Sequence, residues 1–255
     1  MPWNPEKYNQ FKNIRYQPFF DLMKLVVGDD LKNGVDIGCG TGEQTSILAE
    51  NFTHTSFLGI DSSSEMLSAS KGLEHERLKF LVCSVESFIA ADSKWDLLFS
   101  NAALQWLDNH DKIFPQLLAK LNQGGQFAVQ MPSQTENILN KILLEMAQER
   151  PFSDMLKNWK RESPVLSIDA YAQILFESGL ENIQIVQKVY PIIADDSDQL
   201  FDFISGSSLI PYMERLSESE RKIFTAEYKN RIQANFRSFP ALYAFKRLLL
   251  YGRKV

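Results

Sequence analysis

Val35-Asp36-Ile37-Gly38-Cys39-Gly40-Thr41-Gly42 decides the reading of this 255-residue chain. It reads as the end of a buried strand, a glycine turn, and the opening of a helix that runs to about Asn51. Glycines at alternate positions allow backbone angles that side chains forbid and leave room for a ligand against the main chain. The helix start adds unpaired N–H groups. Around this stretch strand and helix alternate. Gly34–Ile37 is a first strand, Ser56–Ile60 a second ending at Asp61, and Leu78–Cys83 a third. Asp96–Ser100 is a fourth, and Gln126–Met131 a fifth after the turn Asn122-Gln123-Gly124-Gly125. The helices between them are expected at 43–51, at 62–71 with serine caps, and at 108–121, with 84–94 irregular. Such β-α pairs imply an α/β fold: a doubly wound parallel sheet with right-handed crossovers.

Working outward, residues 1–17 are polar and aromatic (Trp3, Tyr8, Phe11, Arg15, Tyr16) and are expected to dock over a ligand mouth. Pro18 suits the first turn of a helix to about Val27. After Pro132 the rhythm changes. Helices are expected at 137–149 and 167–178, an edge strand at 182–189, and a nearly continuous helical stretch at 197–235 before a last strand at 248–251. We read 1–255 as one domain, with 191–241 inserted as a helical cap. The net charge of −5 disfavours a nucleic-acid partner. The segment 221–255 nevertheless holds nine Lys/Arg against one Glu, a solvated face or one turned to an anion. Cys39 and Cys83, far apart and without CxxC spacing, imply a reducing compartment, no disulfide framework and no metal site. No leader pattern and no membrane-length apolar run are read, so a cytoplasmic protein is expected. A monomer is the default expectation.

In an open α/β sheet ligands sit beyond the carboxyl ends of the strands, so the chemistry is expected at the strand ends. Asp36 stands two residues before Gly38, where a dinucleotide fold keeps an apolar residue, and the glycines run G-x-G-x-G rather than G-x-G-x-x-G. A carboxylate repels a pyrophosphate and attracts a cationic aminoacid-sulfonium ligand. Asp61, ending the second strand, can accept both hydroxyls of a ribose or cap a helix. Ser84 and Val85 are placed to line an adenine. Asn101-Ala102-Ala103-Leu104-Gln105-Trp106, straight after a buried strand, is polar and reads as site lining.

With these residues in view the chain resembles the class I S-adenosylmethionine-dependent methyltransferases, and within them the trans-aconitate methyltransferase family. The resemblance runs through Trp3-Asn4-Pro5 with Tyr8, Phe11, Arg15 and Pro18, then the Asp36–Gly42 motif and Gly59-Ile60-Asp61-Ser62-Ser63. It continues in the Asn101–Leu107 run, Ala128-Val129-Gln130-Met131-Pro132 and Leu216-Ser217-Glu218-Ser219-Glu220. It implies a seven-stranded Rossmann-like sheet ordered 3-2-1-4-5-7-6 with the last strand antiparallel. It also implies S-adenosylmethionine as cofactor, S-adenosylhomocysteine as product and a small acid as substrate. The cofactor residues it implies are Asp36, Gly38, Cys39, Gly40, Gly42, Gln44, Asp61, Ser62, Met66, Ser84, Val85, Asn101, Ala102, Gln105 and Trp106. Tyr8, Arg15, Tyr16, Trp106, Arg237 and Arg247 are expected at the substrate. The chain departs from the pattern at Ser84, where an acid is usual, and at Gln17 and Ile210, where arginines are. The last two bear on which acid is taken.

Methyl transfer is an in-line displacement on an already activated sulfonium, so orientation and exclusion of water are what a protein must add. A carboxylate nucleophile is ionised at neutral pH and needs no base, whereas a hydroxyl or carbon nucleophile does. No histidine falls at an expected strand end, and His54, His75 and His110 read as surface residues. Carboxyl O-methylation is therefore the expected reaction. The rivals are a malonyl-carrier-protein methyltransferase, a protein that binds S-adenosylmethionine without turnover, and a nicotinamide dehydrogenase.

Overall fold

The computed structural model describes residues 12–28, 30–161 and 163–255. Its strands are β1 (Asn33–Ile37), β2 (Ser56–Asp61), β3 (Leu78–Val82), β4 (Trp95–Asn101), β5 (Leu121–Pro132), β6 (Leu180–Ala194) and β7 (Ala241–Lys254). They form one seven-stranded sheet in the order β3-β2-β1-β4-β5-β7-β6. β1 to β5 pair in parallel, and β7 runs antiparallel to β5 from Gln126↔Arg253 to Pro132↔Arg247. The expected fold class and strand order both hold. The helices are α1 (Lys12–Met23), α2 (Glu43–Asn51), α3 (Ser64–Ser68), α4 (Val85–Ala90), α5 (His110–Leu118), α6 (Ile138–Gln148), α7 (Phe152–Met155), α8 (Ile168–Glu177), α9 (Ser197–Ser205), α10 (Ile210–Met213) and α11 (Glu218–Asn235).

Several boundaries differ from the sequence reading for identifiable reasons. The helix expected to start at Pro18 starts at Lys12, with Pro18 inside it. An interior proline costs about 3 kcal/mol. Phe19 and Leu22 are completely buried, at about 1.5–3 kcal/mol each, and Phe19 meets Phe99 edge-on at 5.7 Å. That burial offsets the lost hydrogen bond. Residues 84–94, expected to be irregular, contain α4, whose first turn is capped by Ser84 Oγ accepting from Ser87 N at 3.2 Å. A six-residue helix is too short for periodicity to reveal. The 108–121 helix is shorter than expected because Leu121 already belongs to β5, and the glycine turn lies inside that strand. A register shift between Trp95 and Leu97 on β4 absorbs it. β6 and β7 are longer than their apolar centres suggested.

The described residues divide into two compact units: 17–132, 164–188 and 247–255 form one, and 133–163 and 189–246, with 12–16, form the other. The first holds the parallel strands. Val35, Ile37, Leu98 and Phe127 pack there with Phe114, Leu117 and Leu118 of α5 and with Tyr171 and Leu175 of α8. The second is mainly helical and contains the whole of 191–241. Leu139, Ile142 and Met146 of α6 pack with Leu200 and Ile204 of α9 and with Phe224, Tyr228 and Ile232 of α11. Tyr228 Oη donates to the Leu139 carbonyl at 2.9 Å, and a Ser217–Glu220 capping box starts α11. Among the described residues no helix is long and apolar enough to cross a membrane.

Candidate functional site

The glycine turn joins β1 to α2 inside the sheet unit, and its shape follows from the residues it lacks. Gly38 has φ +74°, and a Cβ there would lie 2.1 Å from the Cβ of Ala103, closer than atoms pack. The left-handed region disfavours any side chain, so the turn and the β4 end touch only because position 38 is bare. Gly38 N and Cys39 N both donate to the Ile60 carbonyl, at 2.8 and 3.0 Å. This fastens the turn to the carboxyl end of β2. Gly40, also left-handed, lies beside Met66, whose methyl would sit 3.4 Å from an added Cβ. Gly42 occupies the N-cap position of α2 at φ +80°, and an added Cβ there would lie 2.7 Å from the Phe80 ring and 2.8 Å from the Ser70 Cβ.

Two carboxylates face this turn. Asp36 is 2% exposed and accepts from Thr45 Oγ1 at 2.7 Å. Burial pushes its pKa up to about 7, against the Thr45 hydrogen bond and with help from the Asp61 charge. Asp61 Oδ2 accepts from Gly40 N at 3.0 Å and Oδ1 from Ser63 N at 2.8 Å. The helix-capping role open to Asp61 belongs instead to Ser63, whose Oγ accepts from Met66 N. An ionised carboxylate has about four lone-pair sites, so Asp61 keeps acceptors for two further hydroxyls. Two acids at one glycine turn oppose a pyrophosphate and suit a ligand carrying hydroxyls and positive charge. Cys39 is a free thiol. Burial, and then the charges of Asp36 and Asp61, push it far above the usual thiol range, so it is protonated and unreactive.

Beyond β4 the chain is bent to order. Ala102 adopts φ 57°, an unusual angle for a residue with a side chain. It is held there by its N–H on the Gln130 carbonyl at 2.9 Å and by Gln105 Nε2 on its own carbonyl at 2.6 Å. Asn101 Nδ2 donates to Gln44 Oε1 at 2.9 Å, linking β4 to α2. Among the described residues, three buried polar atoms here lack partners: Asn101 Oδ1, Gln105 Oε1 and Gln130 Nε2. Asn101 and Gln130 are register neighbours on β4 and β5. Leaving such atoms unmade costs about 1–3 kcal/mol each, and a polar ligand removes that cost. The bare turn, two carboxylates and orphaned amides fit a nucleoside with an amino-acid arm, which is what S-adenosylmethionine is.

Asp36, Gly38, Cys39, Gly40, Gly42, Gln44, Asp61, Met66, Asn101 and Ala102 are thus brought together. Ser84 and Val85 follow β3, whose end is tied to β2 by Cys83 N on the Asp61 carbonyl at 2.9 Å. Ser62 is exposed, and Trp106 is 47% exposed after the Leu104–Trp106 turn. Arg247 is buried on β7, where its Nη1 donates to Gln130 Oε1 at 2.7 Å. Arg237 is exposed in the helical unit and Tyr16 is half-buried there. Tyr8, with Trp3 and Phe11, lies outside the described residues, as does the side chain of Arg15. His54 and His75 are exposed as expected, but His110 is not. It is 1% exposed, with Nδ1 against Tyr171 Oη at 2.6 Å and Nε2 against the Leu104 carbonyl at 2.9 Å. Burial lowers its pKa. The sequence reading also missed Thr45, whose signal was a hydroxyl one helical turn past the glycines, and Gln130, an amide within the otherwise apolar run Phe127–Met131.

The methyltransferase-domain model matches residues 29–196. The chain is 36% identical to a trans-aconitate 2-methyltransferase of Deinococcus radiodurans, over 100% of this chain and 99% of that one. It is 28% identical to the Variovorax paradoxus protein of the same name, over 99% and 96%. In fold it is similar to phosphoethanolamine N-methyltransferase 2 of Haemonchus contortus, solved with S-adenosylhomocysteine. That match has a TM-score of 0.58 and 16% identity, over 93% of this chain and 52% of that one. With the family model spanning the glycine turn and the strand ends, and a full-length relative above 30% identity, the chain belongs to the class I S-adenosylmethionine-dependent methyltransferases, in the family of the trans-aconitate 2-methyltransferases.

Proposed function

We propose that this enzyme forms a methyl ester on a small carboxylic acid of the trans-aconitate type. When bound, S-adenosylmethionine supplies an activated methyl group on a positively charged sulfur. In this reading Asp36 and the amides of Asn101, Gln105 and Gln130 take the polar amino-acid arm, and Asp61 takes the ribose. Gly38, Cys39, Gly40, Gly42 and Gln44 shape the floor, while Ser62, Met66, Ser84, Val85, Ala102 and Trp106 line the sides. Tyr8, Arg15, Tyr16, Arg237 and Arg247 are read as acceptor-side residues, with the arginines as carboxylate partners.

The chemistry at the glycine turn carries this reading. Its titratable side chains are two acids and a protonated thiol, and His110 is buried with both ring nitrogens engaged. In this reading both acids are committed to the cofactor, so among the described residues of the turn none is assigned to take a proton from a hydroxyl or a carbon. A carboxylate acceptor arrives already ionised. The names of the full-length relatives support the same acceptor class. A cytoplasmic setting goes with this reading, since both cysteines are free. Turnover with a panel of small carboxylic acids, amines and alcohols tests it. Acids alone should be methylated; turnover confined to amines or alcohols would overturn it.

A further inference from the structure

Two left-handed residues that carry side chains bracket the turn after β4: Ala102 at φ 57° and Asn109 at φ 58°. Such angles are costly and persist only where neighbouring groups hold them. Asn109 starts α5 without a side-chain bond, and the next residue, His110, reaches back to the turn. Its Nε2 lies 2.9 Å from the Leu104 carbonyl oxygen, and its Nδ1 lies 2.6 Å from Tyr171 Oη. Burial lowers the pKa of the ring against the pull of the Leu104 and Leu107 carbonyls, so it is neutral and carries one proton. A carbonyl only accepts, which assigns that proton to Nε2. Nδ1 then accepts from the Tyr171 hydroxyl, which itself accepts from Leu166 N at 3.2 Å. The Leu104 oxygen also accepts from Leu107 N at 3.0 Å. Of its two lone pairs, one closes the turn and the other pins it to α5.

The turn carries groups of the cofactor site. Ala103 packs into the space left bare at Gly38. Gln105 is 5% exposed, and its Nε2 is spent on the Ala102 carbonyl at 2.6 Å. That leaves Oε1, an acceptor without a partner among the described residues, whose direction the turn sets. We propose that His110 is a positioning residue for the cofactor: its Nε2–H bond to the Leu104 carbonyl fixes the 104–106 turn and so aims Gln105 Oε1 at the ammonium of the amino-acid arm. The proposal rests on the reading of Gln105 as a cofactor contact. It gives a role in binding to a histidine that acts only through Leu104.

The test measures Kd for S-adenosylhomocysteine by calorimetry, with thermal melting, in the parent, H110Q, H110N, Y171F and Q105L. In H110Q the amide nitrogen can stand where Nε2 stood, whereas in H110N the shorter amide reaches only the Nδ1 position beside Tyr171. Y171F removes a partner of the ring but keeps the bond to Leu104. Kd should rise roughly 3- to 10-fold in H110N, the value of one neutral hydrogen bond, and at least as much in Q105L. H110Q and Y171F should stay within about twofold of the parent even where melting falls. The double variant H110N/Q105L should bind no more weakly than Q105L, because both act through one contact. A parental Kd in H110N with Q105L weakened would overturn the role of His110 and leave the reading of Gln105 standing. A parental Kd in Q105L would overturn that reading and the proposal with it. Equal weakening in H110N, H110Q and Y171F would also overturn the proposal, because it would show a general loss of packing. If H110N does not fold, nitrogen NMR of the parent's His110 ring decides: the Nε2–H tautomer is expected, and a proton on Nδ1 would overturn the proposal.

Discussion

Replacing Asp36 with asparagine separates two effects that the parent enzyme combines. The side chain keeps its shape, and Thr45 Oγ1, now 2.7 Å from a carboxylate oxygen, can still donate to the amide oxygen. What disappears is the ability to ionise. Burial moves Asp36 from 3.8 to about 7. At ~1.36 kcal/mol per tenfold change in proton affinity this corresponds to about 4 kcal/mol. Between those values the folded enzyme holds a proton that the unfolded chain has lost. Asp36 therefore makes the parent less stable as pH rises from about 4 to 7, with no further change above. Asp36→Asn has no such dependence. Its stability relative to the parent should increase by about 3 kcal/mol between pH 5 and pH 8, read by denaturant unfolding of the ligand-free proteins. Cofactor binding should move the other way. An ionised Asp36 beside a cationic arm makes a charge-assisted contact of about 1.5–3 kcal/mol, so Kd for S-adenosylmethionine should rise roughly 10- to 100-fold in calorimetry. A stability gap that stays constant with pH, together with an unchanged Kd, would refute the reasoning.

Two further predictions concern the frame of the site. Gly38→Ala puts a methyl 2.1 Å from the Ala103 Cβ at φ +74°. It should lower the melting temperature by roughly 5 °C or more and abolish cofactor binding, while Gly72→Ala, with open space around it, should melt like the parent. Tyr171→Phe removes the partner of His110 Nδ1 and of Leu166 N and should cost about 1–3 kcal/mol in equilibrium unfolding. Because burial lowers the His110 pKa below 6.5, the unfolded chain takes up a proton there first. The His110 contribution to stability is therefore lost as pH falls below 6.5, and a His110→Gln variant should show a weaker acid dependence.

How much was legible follows the kind of signal each feature sends. The sheet was readable because each strand of the first half is a short apolar run bounded by turn residues, and because Asp36 and the three glycines have few alternative explanations in one turn. Strand order came from resemblance rather than periodicity, since β7, last in sequence, inserts between β5 and β6. α1 was misplaced because the rule for proline is local, while the burial of Phe19 and Leu22 that overrides it is tertiary. His110 was read as surface because it lies next to Asp108, Asn109 and Asp111. Its partners, Tyr171 and the Leu104 carbonyl, come from parts of the chain that only folding joins. Contacts made across long sequence separation leave no periodic trace.

The claim that matters most is that the transferred methyl ends on a carboxylate oxygen. The direct measurement uses cofactor labelled in the methyl group with trans-aconitate as acceptor, followed by mild alkaline hydrolysis of the product. A methyl ester releases the label as volatile methanol, and that is the result expected. Label that remains bound to the product after hydrolysis, as a methyl on nitrogen, carbon or an ether oxygen does, would contradict it.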